Sequence, residues 1–358
     1  MFACKSGKRN AECYDDVCEE PETFIDCPRD CWLADMQLVL GNAGRVDWSQ
    51  DGSNIIAYDV ISGPDGYYDV ALMNPNASGI KCLTCNVPGL PQKNNGNPAW
   101  HPGGDWIAFQ SEKQNHGGTS EFSTPSKGVF NDLWIISTDG TKVHQLTDYA
   151  NNPNNGVLNP VFSPDGTKIA WSRLLVTASA IPKEIYGQWR IEIANFSVVN
   201  DTPRVSNIIT TIPGDNVYYA IHGFSPDGQH LLFSSNMYTL QPPPVASQLF
   251  RLKVSDQSWE ALTDAGYNEH ASYVPHWDKI IWGTDLENDP GNDYWLMNTD
   301  GTNKERLTFF NFPGYFESQP GPCWAGDMAW HPSGKWMMFY VEKDPILELG
   351  DIYMMFLN

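Results

Sequence analysis

Polar and ionisable side chains recur at one place in this 358-residue sequence. Three positions before a repeated aromatic stand Arg45, Asn97, Asn159, Ile221, His270 and Asp327, with His222 and Glu269 beside two of them. Imidazoles and carboxylates suit a divalent cation, so His222, Glu269, His270 and Asp327 are candidate ligands for Ca²⁺, Mn²⁺ or Zn²⁺. Without a metal, Arg45 or Arg173 could neutralise a uronic carboxylate while His222 or His270 removes the neighbouring proton, which is what β-elimination requires. Glu269 with Asp327 would instead form the carboxylate pair of a glycoside hydrolase. Asn97, Asn159, Arg173, Glu269 and Asp327 would hydrogen-bond a bound ligand. The same set would serve equally well as the lining of a wet, polar channel with no chemistry at all. No Gly-x-Ser-x-Gly elbow and no Walker-type phosphate loop occurs, and no α/β-hydrolase segment accompanies the repeats, so peptidase and nucleotide chemistry are not expected.

The elements that must carry these residues are announced by internal repetition. The recurring aromatics are Trp48, Trp100, Phe162, Phe224, Tyr273 and Trp330, spaced by 52, 62, 62, 49 and 57 residues. Each closes a short strand and leads into a turn such as Ser163-Pro-Asp-Gly166, where Pro presets φ and Gly accepts a positive one. An apolar strand follows, then a variable loop, and then a strand such as Asn131-Asp-Leu-Trp134. A tight Asp-Gly turn leads to a fourth strand that ends in Leu-Thr, as at Leu146-Thr147 and Leu307-Thr308. Four antiparallel strands repeated six times predict an all-β, six-bladed β-propeller over residues 36–358. The last unit lacks a fourth strand, so residues 36–40 are expected to close that blade. In such a ring the candidate residues gather at the axis.

The phrases Phe162-Ser-Pro-Asp-Gly-Thr-Lys-Ile-Ala-Trp-Ser-Arg173 and Asn131-Asp-Leu-Trp-Ile-Ile-Ser-Thr-Asp-Gly140 resemble the repeat of the TolB-like (PD40, WD40-like) propeller family. That resemblance implies the fold. It leaves function broad, because the family includes periplasmic partner-binding proteins, peptidase propellers and relatives of oligogalacturonate lyases. The lyases hold a divalent metal on the axial face with several His; this chain offers two there and has six repeats rather than seven. Residues 1–35 resemble a short Cys-rich module of secreted bacterial proteins, in Cys18-Glu-Glu-Pro-Glu-Thr23 and Cys27-Pro-Arg-Asp-Cys31.

Eight Cys, five of them within residues 4–31, indicate a disulfide framework and an oxidising compartment. Cys82-Leu-Thr-Cys85 is expected to form a small local disulfide rather than a thioredoxin-like redox centre. The five clustered Cys cannot all pair among themselves. Cys323 is therefore expected to bond to the knot, with Cys31 the favoured partner because its tether to residue 36 is short. Met1-Phe2-Ala3-Cys4 shows no export signal, so a secreted, periplasmic or cell-surface location would require one already removed.

Acidic and basic residues number 43 and 22, a net charge of −21, which excludes a phosphate-binding surface and hence nucleic acid as partner. No apolar run is long enough to span a membrane as a helix. Long loops at 111–130, 174–188 and 236–247, and off-repeat aromatics such as Trp189, Tyr218, Tyr219, Tyr315 and Trp324, are expected to frame a binding face. The expected function is binding of a glycan or protein partner on the axial, loop-bearing face. The alternatives are a polysaccharide-active enzyme (a metal-assisted lyase or a hydrolase of an acidic glycan) and a structural subunit of an extracellular assembly.

Overall fold

The computed structural model describes residues 36–176, 187–214, 217–238, 247–286, 290–315, 317–344 and 349–356. The expected Cys-rich unit, with Cys31, lies outside them. Six four-stranded antiparallel sheets make up a six-bladed propeller, and no α-helix occurs among the described residues. Five blades use consecutive strands, within residues 46–82, 95–145, 156–211, 219–261 and 268–306. The sixth is composite. Met36–Ala43 pairs antiparallel with Leu349–Phe356, outside Trp336–Asp344 and Trp324–Trp330, so the two ends of the ring share one sheet.

The turns form for the reasons their residues suggest. Gly166 and Gly228 both have φ +69°, the left-handed conformation that ends the Pro-Asp-Gly turn. Asp165 secures its own turn by accepting from Ser163 Oγ at 2.6 Å and from the Thr167 amide. The Leu-Thr ending has an equally local cause. Thr147 Oγ1 accepts the Leu133 amide (2.9 Å) and donates to Asp132, and Thr308 does the same for Tyr294 and Asp293.

The core lies between blades. Trp171, fully buried, packs with Phe196 of its own blade and with Trp106 and Leu133 of the preceding one. Trp282 and Trp295 similarly pack against Leu232 and Leu249 of the fourth blade. At the seam, Trp48, Ile56 and Tyr58 of blade one meet Met338, Tyr340 and Ile352 of blade six, so the closing interface is as apolar as the others. Removing such side chains from water is the main stabilising term of the ring.

Candidate functional site

In blades two to six the innermost strand turns its axial residue inward by one local device. The ladder shifts register between Gly96 and Ala99, Leu158 and Val161, Ile221 and Gly223, Glu269 and Ser272, and Ala325 and Met328. These are β-bulges, which re-aim a side chain at the cost of one unpaired residue. Asn97 (φ 53°), Asn159 (φ 52°) and His270 (φ 51°) occupy the left-handed region there. Asn and His enter that region more readily than most residues, which accounts for the choice of Asn at two of these sites.

The structure brings Arg45, Asn97, Asn159, His222, His270 and Asp327 to the floor of one axial cavity of about 440 Å³. Its walls are the anchoring aromatics Trp100, Phe162, Phe224, Tyr273 and Trp330, with Pro102, Pro164, Pro226, Pro275 and Pro332 at the rim. The cavity therefore opens between the short turns, not on the expected loop-bearing face. Pairing of Trp100 with Ile107 at one end of the blade and of Asn95 with Ser111 at the other places the long loop 113–130 at the opposite end. That loop reaches the axis: the Pro125 carbonyl accepts from Asn97 Nδ2 at 2.6 Å, and a Cβ on Gly96 would lie 2.4 Å from Pro125.

The floor is a chain of hydrogen-bonded polar groups. Asn97 Nδ2 also donates to Gln110 Oε1 at 2.8 Å, and its amide donates to Asp59 Oδ2 at 3.0 Å. Asp59, fully buried, accepts from Arg45 at 3.4 Å. Asn159 Nδ2 donates to the Ile221 carbonyl across the next blade interface. His222 Nε2 lies 2.7 Å from Ser234 Oγ. His270 Nδ1 donates to Asp327 Oδ1 at 2.8 Å, while its Nε2 lies 3.7 Å from Glu269 Oε2. Glu269 is not among the residues lining the cavity; it is buried, and its Oε2 accepts from the Tyr267 hydroxyl at 2.7 Å.

These surroundings set the charges. Burial opposes a charged imidazole at His270, but the Asp327 carboxylate outweighs it and lifts the pKa to about 9. Burial likewise opposes the charge on Asp327, and the His270 cation prevails, holding it at about 2. His222 is pushed down to about 3 by burial and then by the His270 cation. Burial raises Glu269. At neutral pH the floor thus holds one imidazolium–carboxylate pair, one guanidinium beside a buried carboxyl group, and one neutral imidazole.

A divalent metal of the lyase type does not fit these donors. His270 Nδ1 is hydrogen-bonded to Asp327, the His222 and His270 rings stand 6.4 Å apart, and no three of His222, Glu269, His270 and Asp327 bring donor atoms within 4.8 Å of one another. Among the described residues, Asp69, Cys82 and Cys85 are the group that brings three metal-type donors together, and the two sulfurs are joined in a disulfide.

Two expectations are corrected by position. Arg173 does not reach the axial cavity. Its guanidinium lies 3.8 Å over the Tyr149 ring and 3.3 Å from Glu192, a carboxylate it shares with Arg190, so it serves a network away from the axis. Cys323 is a free thiol, fully buried beside Asn311, and the knot cysteines expected to pair with it lie outside the described residues. Trp189, Tyr218 and Tyr219, expected to frame a binding face, are core residues. Tyr315 stacks on Phe309 at 4.1 Å. Sequence reasoning missed Asp59, Ser234 and Gln110, which orient the floor, whereas Tyr267, which does the same through Glu269, stands out in the sequence as an off-repeat aromatic. Of the three missed, only Asp59 had a signal, as a charge inside the apolar run Ile55-Ile-Ala-Tyr-Asp-Val-Ile61.

No protein-family model matches the chain. Over 164 residues, 41% of the chain, it is 26% identical to the uncharacterized peptidase YuxL of Bacillus subtilis and spans 22% of that protein. TolB from Acinetobacter baumannii is similar over 86% of this chain and 64% of its own, with a TM-score of 0.51 at 15% identity. A prolyl endopeptidase is similar over 87% of this chain and 40% of its own, with a TM-score of 0.50 at 12% identity. Prolyl oligopeptidase B from Galerina marginata gives 84% and 38%, with a TM-score of 0.50 at 11% identity. At these identities the likeness is one of fold, and the class is a six-bladed propeller of the kind found in TolB. The chain spans about a fifth of the curated relative and less than two thirds of these structures.

Proposed function

We propose that the protein is an extracytoplasmic binding module whose axial cavity takes a polar, extended ligand, either a short glycan or a peptide segment of a partner. One observation carries this reading: all six blades deliver a residue to one cavity, with hydrogen-bonding groups on the floor and aromatic rings on the walls. Aromatic faces with a few placed polar groups are how proteins hold sugars and peptide chains. The charge states favour binding over proton abstraction. A general base works best with a pKa near the working pH, and His222 at about 3 and His270 at about 9 lie on either side of it. The Cys82–Cys85 disulfide supports an oxidising compartment.

Trp100 and Trp330 line the cavity, so intrinsic fluorescence reports occupancy. Acidic oligosaccharides and synthetic peptides are the probes to titrate. Binding should weaken about tenfold or more in Asn159→Ala and in Asp327→Asn, with each loss representing one or two hydrogen bonds, some to a charged group. Probe affinity unchanged in both variants would refute the axial site. Growth of the ultraviolet absorbance of a new conjugated double bond, on incubation with an acidic oligosaccharide, would turn the reading to a lyase.

A further inference from the structure

The repeat contains a carboxylate that is matched by a cation in two blades and by sulfur in a third. Asp132 and Asp293 are equivalent: each accepts from the Thr that ends its blade, Thr147 or Thr308. Each also meets a cation, Lys113 for Asp132 and Arg306 for Asp293, the latter at 3.1 Å. Asp69 is the counterpart in blade one, since Thr84 Oγ1 donates to it at 2.7 Å and accepts the Val70 amide at 3.0 Å. Arg306 stands two residues before its Thr, and so does Gln145, which donates to Asp132 at 3.1 Å. In blade one that place belongs to Cys82. Among the described residues Asp69 forms no ion pair with a Lys or Arg; its Oδ2 accepts from Ser62 Oγ and lies 3.4 Å from Cys85 Sγ. A carboxylate that its equivalents pair with a positive charge here meets, among the described residues, the neutral groups of Ser62, Thr84 and Cys85.

The ligand atoms of Asp69, Cys82 and Cys85 lie within 4.8 Å of one another, and all three residues are half-buried. Cys-x-x-Cys is the chelating spacing of structural zinc sites. We propose that opening the Cys82–Cys85 disulfide converts this corner into a site for a thiophilic divalent cation, with both sulfurs and the Asp69 carboxylate as ligands and water in the fourth position. The step balances with a dithiol reductant. The reductant passes two electrons to the disulfide and becomes a disulfide itself, and Cys82 and Cys85 take up two protons as thiols. The incoming dication then displaces both protons to solvent and is held by two thiolates and one carboxylate. The cation takes the place that Lys113 and Arg306 fill in the other blades. The oxidised corner has no thiolate to offer, so the site is gated by redox state. This inference is independent of the axial cavity.

The test uses the full chain reduced with a phosphine, freed of reductant without air, and loaded with Zn²⁺. The five N-terminal cysteines are present in every variant, so the readout is a difference. The parent chain should retain one more zinc ion than Cys82→Ser/Cys85→Ser, and Co²⁺ in its place should give an additional thiolate-to-metal absorption band. Asp69→Asn, which keeps both sulfurs, should weaken that zinc about tenfold or more, the scale on which coordination-shell changes act. Equal zinc in the parent and the double variant would overturn the site. So would an extra zinc held by the oxidised chain, or an Asp69→Asn affinity equal to the parent's. Should the double variant fail to fold, Asp69→Asn carries the comparison.

Discussion

His270 and Asp327 come from adjacent blades, yet each sets the charge of the other at 2.8 Å. The signs follow from linkage. His270 is raised from 6.5 to about 9, so its contribution is complete below 6.5 and is lost as pH rises through 9. Asp327 is lowered from 3.8 to about 2, so its contribution is complete above 3.8 and is lost as pH falls through 2. The pair is therefore fully formed from about pH 4 to 6.5 and remains charged up to about 9. Asp327→Asn should bring the His270 midpoint well down from about 9, because burial is then opposed only by the weaker pull of Glu269 and Glu342; NMR titration of the imidazole nitrogens reads this. A midpoint that stays near 9 would mean that Glu269 rather than Asp327 holds the cation. Two further cationic groups were expected near this point, and only Arg45 is there. Arg173 and Arg45 look alike in the sequence, but Glu192 and Tyr149 hold Arg173 in the third blade's own network.

At the scale of elements, the Leu-Thr ending and the strand Asp that precedes it form one latch. Thr308 joins the Tyr294 amide to Asp293, a buried carboxyl whose pKa burial pushes up to about 6. Thr308→Val keeps the shape and removes both bonds, leaving a buried amide and a weakened acceptor. Unfolding by denaturant should show a loss of about 2 kcal/mol, within the range for unsatisfied buried groups; a loss near zero would mean that water replaces the hydroxyl. The strand pattern and its turns were legible because both are local. Alternating apolar residues choose extended backbone, and Pro-Asp-Gly chooses the turn. The bulge at the axial position of blades two to six was not legible as such, although Asn at positions 97 and 159 is its trace.

For the whole molecule, the seam is the joint on which closure depends. Met36–Ala43 supplies the outer strand of the sixth blade, and Val39 and Leu40 pack with the cluster that spans blades one and six. A chain beginning at Gly44 would expose the Leu349–Phe356 edge and lose that packing. Relative to a chain beginning at Met36, it should unfold at clearly lower denaturant concentration and tend to associate through the open edge. Identical midpoints would show that the seam adds nothing to the ring. The seam also bears on Cys323. The thiol is enclosed among Tyr294, Phe310 and Phe339, and the knot expected to bond to it lies outside the described residues. Chain tether placed the thiol near the seam; only packing decided that it faces inward.

The sequence by itself determined the blade number, the order of strands, the seam and the six axial positions, because each depends on periodicity and on short-range turn chemistry. Tertiary structure alone decided which mouth of the channel is open, which charges pair across blades, and whether the axial donors reach metal spacing. Those outcomes depend on distances between residues about 60 positions apart, such as His270 and Asp327, or Asn97 and Asn159. A few tenths of an ångström or one ring rotation changes them, and no spacing in the chain encodes that. The Asp69 corner shows the same division: the Cys-x-x-Cys spacing is written in the sequence, and the carboxylate that completes it comes from a neighbouring strand.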